Sequence, residues 1–163
     1  MVDSFRWTAP LGISVILFTA IGALWILIGL LAVPLHKRAS PDYLFVSQPT
    51  DTAYFGAPPS QLAPPNSALA KFRTMLITVL SGLLVLAGSL FVFVAIFALR
   101  QGQAWALLAL AISGLAAVIF WGLALLPYFQ ARIAVGLGDL PPFMWIPSAL
   151  ILPAIVLGWL GLP

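Results

Sequence analysis

The chain alternates between long apolar runs without any ionisable side chain and short polar interruptions, and the runs occupy roughly residues 13–35, 74–99, 104–127 and 143–162. A helix of about 20 consecutive apolar residues crosses the hydrocarbon core of a bilayer. The pattern therefore predicts an all-α fold, a single-domain bundle of four transmembrane helices with one long proline-rich connection over residues 36–73. The first run is too long for a secretory leader, follows a segment "MVDSFRW" with little positive charge, and is closed by "HKR", so it is expected to remain in the protein. Between the second and third runs, "RQGQ" leaves room only for a tight antiparallel hairpin, with Gly102 at positive φ. The third and fourth runs are separated by "YFQARIAVGLGDLPP", whose glycines and Pro141-Pro142 break any helix and whose "GLGD" reads as a turn. Pro147 and Pro153 fall inside the fourth run and are expected to kink it.

Within lipid, helices associate where small residues let backbones approach. Each run supplies such a line. Gly22 and Gly29 recur after seven residues in the first, and Ser81, Gly88 and Ala95 do so in the second. Ala109, Ser113 and Ala117 recur every four in the third, and Ala154 and Gly158 are four apart in the fourth.

Composition supports the membrane reading and narrows the chemistry. The chain is 63% hydrophobic and 7% charged, against about 25% charged in soluble domains. It has no cysteine, which removes disulfides, thiolate catalysis and cysteine-held metal clusters. Its net charge of +3 reflects scarce acids, four in all, more than abundant bases. Seven scattered Lys and Arg form no stripe for a phosphate backbone, so nucleic acid is not an expected partner. Lys37, Arg38, Lys71, Arg73 and Arg132 flank one side of the spans, and Arg6 and Arg100 the other. The excess of cations on cytoplasmic loops then places the long first loop in the cytoplasm of a cell-membrane protein and both termini outside. Trp7, Trp105, Trp145, Trp159 and Tyr128 stand near span ends, as aromatic interface anchors do.

Ionisable residues inside a membrane mark ion paths and relays, and none lies in the four runs. A proton relay, coupling-ion site or voltage sensor is not expected. His36 could ligate a haem iron or chlorophyll magnesium, with Met75 as an opposite axial ligand, although its place beside Lys37 and Arg38 reads more simply as a solvated flank. Ser14, Ser81, Ser89 and Ser113 have no histidine or carboxylate at their depth to activate them for hydrolysis. No cofactor or metal is expected. The stretch "LRQGQAWALLAL", residues 99–110, is similar to the arginine, glycine, tryptophan-alanine hairpin of small uncharacterised bacterial four-helix membrane proteins. That resemblance covers about a dozen residues and implies no activity.

The first loop is long for a connection without structure of its own. It carries "FGAPPSQLAPPNS", in which two Ala-Pro-Pro triplets stand six residues apart. Two turns of polyproline II separate them, so Pro58, Pro59, Pro64 and Pro65 are expected to form a stiff rod that, with Tyr54 and Phe55, docks a partner. The resulting expectation is a non-catalytic accessory subunit of a larger membrane assembly, respiratory or photosynthetic, with other membrane subunits and lipids as partners. A small transporter or lipid-handling protein, and an electron-transfer subunit built on His36, are the alternatives.

Overall fold

The computed structural model describes residues 5–38, 45–64 and 66–162. The chain order is α1 (Pro10–Arg38), α2 (Gln48–Phe55), α3 (Pro59–Leu62), α4 (Ala68–Phe97), a 3₁₀ turn (Leu99–Gln101), α5 (Ala104–Gln130) and α6 (Pro142–Gly161). There is no strand among the described residues. Four helices, α1, α4, α5 and α6, are long and apolar enough to cross a membrane.

Helix starts follow from local chemistry. Pro10 and Pro142 open α1 and α6, where a missing N–H costs nothing because the first turn has no intrahelical acceptor for it. Asn66 adopts φ 67° and Ser67 then accepts the Ala70 N–H at 3.1 Å. This N-cap starts α4 at Ala68, earlier than the charge-free run suggests. At about 1.5 Å per residue, the 30 residues of α4 outrun a hydrocarbon core, so Lys71 and Arg73 sit on a helical extension. Gly102 takes φ 75° at the hairpin. Its N–H donates to Leu99 O and that of Gln103 to Ala98 O, capping the 3₁₀ turn. Pro147 and Pro153 are carried inside α6 without ending it.

Helix α1 is the centre of the molecule, with α4 along one side and α6 along another; α5 rests mainly on α6 and shares little with α4. The four long helices thus close a ring in which the contacts of α5 are the sparsest. Helices α1 and α4 run antiparallel with glycine against glycine: a Cβ on Gly22 would stand 2.6 Å from Gly88 O, and one on Gly88 would strike Gly22 O. One heptad along, a Cβ on Gly29 would stand 2.6 Å from Ser81 O. The seven-residue spacing in both helices keeps this seam in register. On the α6 side, Ser14 Oγ donates to Ala154 O at 2.7 Å, and Gly158 leaves room for Leu107 and Ser14.

The line predicted on α5 is displaced. Ala106, Leu110 and Gly114 form its buried face, with Gly114 against Ile151, whereas Ser113 is exposed and Ala109 and Ala117 are half-buried. Adjacent positions differ by about 100° around a helix, and small residues occupy both lines, so spacing alone could not choose between them.

The main core, Val15, Phe18, Ile21, Trp25, Phe91, Ala95, Leu99, Leu107, Leu110 and Ile151 among others, lies mostly in the helix halves nearer the α4–α5 hairpin. There the N-terminal segment folds back, and Arg100 lies over the rings of Phe5 (5.3 Å) and Trp7 (5.2 Å), within cation–π range.

The glycine seam yields a test by thermal unfolding in detergent. Gly88→Ala should lower stability by about 1–3 kcal/mol, since backbone must move to admit the methyl. Gly82→Ala, where no atom lies within 4 Å of the new Cβ, should be neutral or stabilising by up to about 1 kcal/mol.

Candidate functional site

The proline-rich connection is not a rod. The segment after Ser47 reads Gln-Pro-Thr-Asp, and proline in the first turn with an aspartate behind it begins α2. Gly56, at φ 75°, ends that helix. Pro58 keeps extended dihedrals (φ −64°, ψ 149°), but Pro59 opens the one-turn helix α3 and is fully buried. Proline in a first turn favours helix as readily as proline in series favours polyproline II, and here burial of Pro59 decides the outcome. Of the predicted docking residues, Tyr54, Phe55 and Pro64 are exposed, Pro58 is half-buried and Pro65 lies outside the described residues.

The loop is held by an aspartate that sequence reasoning passed over. Asp51 is completely buried. Its Oδ2 accepts the Phe45 N–H at 2.9 Å, and its Oδ1 accepts the Val46 N–H at 3.3 Å and the Tyr128 O–H at 2.7 Å. Tyr128, expected as an interface anchor, is instead 97% removed from solvent, since only 3% of it is exposed. It packs in a second core with Val46 and Leu125, flanked by Phe45, Val135 and Leu140. Rings continue the contact: Tyr54 lies 4.5 Å from Tyr128, Phe45 stacks on Tyr128 at 6.4 Å and approaches Trp121 at 6.1 Å, and Trp121 meets Phe143 edge-on at 6.3 Å.

A second aspartate strengthens the junction. Ser47 Oγ donates to Asp139 Oδ1 at 2.6 Å, and Gly136 N–H to Asp139 Oδ2 at 2.8 Å inside the predicted "GLGD" turn. The Ser47 hydroxyl, then the Gly136 amide, hold the Asp139 carboxyl below its ordinary value of 3.8. The end of α5 that carries Tyr128 closes with Ile133 N–H donating to Tyr128 O and with Arg132 at φ 58°. This is a Schellman ending in which an arginine fills the position usually given to glycine. The first loop is therefore stitched to the end of α5 and to the α5–α6 connection.

The other candidates are scattered. His36 is half-buried near the end of α1, within electrostatic reach of Arg73, while Met75 is 66% exposed on α4. Among the described residues no group of three His, Asp or Glu could hold a metal ion. The hydroxyls of Ser81 and Ser89 donate to the carbonyls of Ile77 and Val85 within α4. Trp105, Trp145 and Trp159 are exposed, and Trp105 Nε1 donates to Gln103 Oε1 at 2.6 Å. The helix-start signature before Asp51 was legible in the sequence; its pairing with a tyrosine 77 positions away was not.

Comparison of the chain with known protein families, with curated proteins and with solved structures finds no match.

Removing the Tyr128 hydroxyl deprives a buried carboxylate of a donor, so Tyr128→Phe should cost roughly 1–3 kcal/mol in detergent melts. Asp51→Ala strands two amides as well and should cost more. The double variant should fall short of the sum of the singles, as contacting partners do. Asp139 stabilises the folded state above its unfolded value, and that contribution disappears as pH falls through the lower folded value. Limited proteolysis of the loop should therefore accelerate below about pH 4, and Asp139→Asn should flatten that component of the profile.

Proposed function

We propose that this chain is a multi-pass membrane protein that acts as a non-catalytic accessory subunit of a larger membrane assembly. The observation that carries the reading is the unfinished surface of α5. Only 22% of its span window is buried within the chain. Its open surface includes Ser113, and Gly122 has no atom within 4 Å of where a Cβ would stand. Small residues on an open apolar face permit close approach by another helix. The loop adds a second contact surface, because α2 turns Asp51 inward and leaves Tyr54 and Phe55 exposed.

The four spans supply no ionisable side chain within their charge-free runs, which supports an architectural role over ion or proton transfer. An energy-transducing assembly, respiratory or photosynthetic, is the setting proposed. The cation excess beside the first loop supports an orientation with that loop in the cytoplasm and both termini outside.

Topology and association can be tested separately. The chain has no native cysteine, so Ser60→Cys should resist an impermeant maleimide on intact cells while Gln101→Cys reacts; the reverse pattern would invert the orientation. A photo-crosslinking residue at Ser113 or Gly122 should give one discrete protein adduct in membranes, and the adduct should be lost with Gly122→Trp. Labelling of lipid alone from both positions would contradict the subunit reading.

A further inference from the structure

The contacts of the first loop fix its depth along α5. Helix α5 has 27 residues, about 40 Å at a rise of about 1.5 Å per residue, whereas a hydrocarbon core is about 30 Å thick. Centred on that core, α5 leaves about three residues outside at each end. Tyr128 then stands at the boundary on the loop side, with Leu125 and Trp121 inside it. The loop meets all three. Val46 packs with Leu125 and Tyr128 in the second core. The Phe45 ring stacks on Tyr128 at 6.4 Å and reaches Trp121 at 6.1 Å. Phe45 and Val46 therefore lie alongside the last turns of α5 and not on top of its end.

Non-helical backbone at that depth has no water to bond and needs acceptors within the protein. The Phe45 and Val46 amides precede α2, and they donate to the two carboxylate oxygens of Asp51 at 2.9 and 3.3 Å. The buried aspartate thus supplies what water supplies to a loop in solution.

The outer surface of the loop is equally unlike one that faces water. Residues 45–64 contain one charged side chain, Asp51, and it is completely buried. A soluble segment of this length would carry about five. The largest groups left exposed are Tyr54 and Phe55. Tyr54 lies 4.5 Å from the Tyr128 ring, and Phe55 meets Tyr54 edge-on at 4.8 Å, so both stand close to the boundary, the level at which amphipathic rings collect. Exposed Leu126 and Phe129 on α5 continue the apolar surface.

We propose that residues 45–55 are embedded in the bilayer interface, with Tyr54 and Phe55 covered by lipid where acyl chains meet headgroups. This rests on the membrane-spanning reading. It gives the contact surface of the loop to lipid and leaves the α5 face for a neighbouring helix. The same rings would suit a protein partner, so the test is made without one.

The full chain, which has no native cysteine, is spin-labelled at Phe55→Cys and reconstituted alone in phosphatidylcholine vesicles. Phe55 is exposed and belongs to neither core, so the substitution spares the fold. Collision of the label with oxygen, which concentrates in lipid, is compared with its collision with a water-soluble nickel chelate. Gln101→Cys, exposed at the hairpin, marks water, and Ile119→Cys, exposed midway along α5, marks hydrocarbon. The oxygen-to-nickel ratio at Phe55 should exceed that at Gln101 without exceeding that at Ile119. A ratio equal to that at Gln101 would put the segment in water and overturn the proposal. Low collision with both reagents, the mark of a protein-covered site such as a contact with a second copy, would overturn it as well. If Ile119 itself reads like Gln101, the membrane-spanning reading beneath the proposal fails instead.

Discussion

A carboxylate with no exposure to water must find its hydrogen-bond donors inside the protein, because an unsatisfied buried charge costs several kcal/mol. Asp51 is in that position, and its donors include the amides of Phe45 and Val46 just before it and the hydroxyl of Tyr128 on α5. The amides fix how the chain enters α2. The hydroxyl fixes where α2 lies. Once Asp51 is placed, Tyr54 is brought onto the Tyr128 ring and Ser47 into reach of Asp139. The connection between α1 and α4 is thereby fastened to the pair of helices that α4 itself hardly touches.

That fastening compensates for an uneven interior. Backbone contact at Gly22 and Gly88 draws α1 and α4 together, and Ser14 with Ala154 and Gly158 draws in α6. These contacts sit with the shared core in the hairpin half. In the other half a second core around Val46, Leu125 and Tyr128 closes the end of α5. A molecule organised this way presents an α5 face that the rest of the chain covers sparsely.

The sequence made the long helices legible because charge-free runs of sufficient length have few alternatives to a spanning helix. The pairing of Gly22 and Gly29 with Gly88 and Ser81 was foreshadowed by their matching heptad spacing. The position of α5 was not, since its buried line mixes Leu110 with Ala106 and Gly114, whereas the uniformly small line through Ser113 is turned away from Ile151. The loop misled for a related reason. Proline restricts φ to a value that both polyproline II and a helical first turn accept, and the deciding terms, burial of Pro59 and the Asp51–Tyr128 bond, are long-range. An aspartate among prolines and threonines gives no local sign that its partner lies on another helix.

The central claim is that residues 45–55 of the first loop are an ordered part of this chain, held by its own α5. Amide hydrogen exchange on the isolated, monomeric protein in detergent measures this most directly. The account predicts that the Phe45, Val46 and α2 amides exchange slowly, with protection approaching that of the α5 segment around Tyr128, in the absence of any other subunit. Exchange of residues 45–55 at the rate of an unstructured peptide, alongside protected α1 and α5, would contradict it.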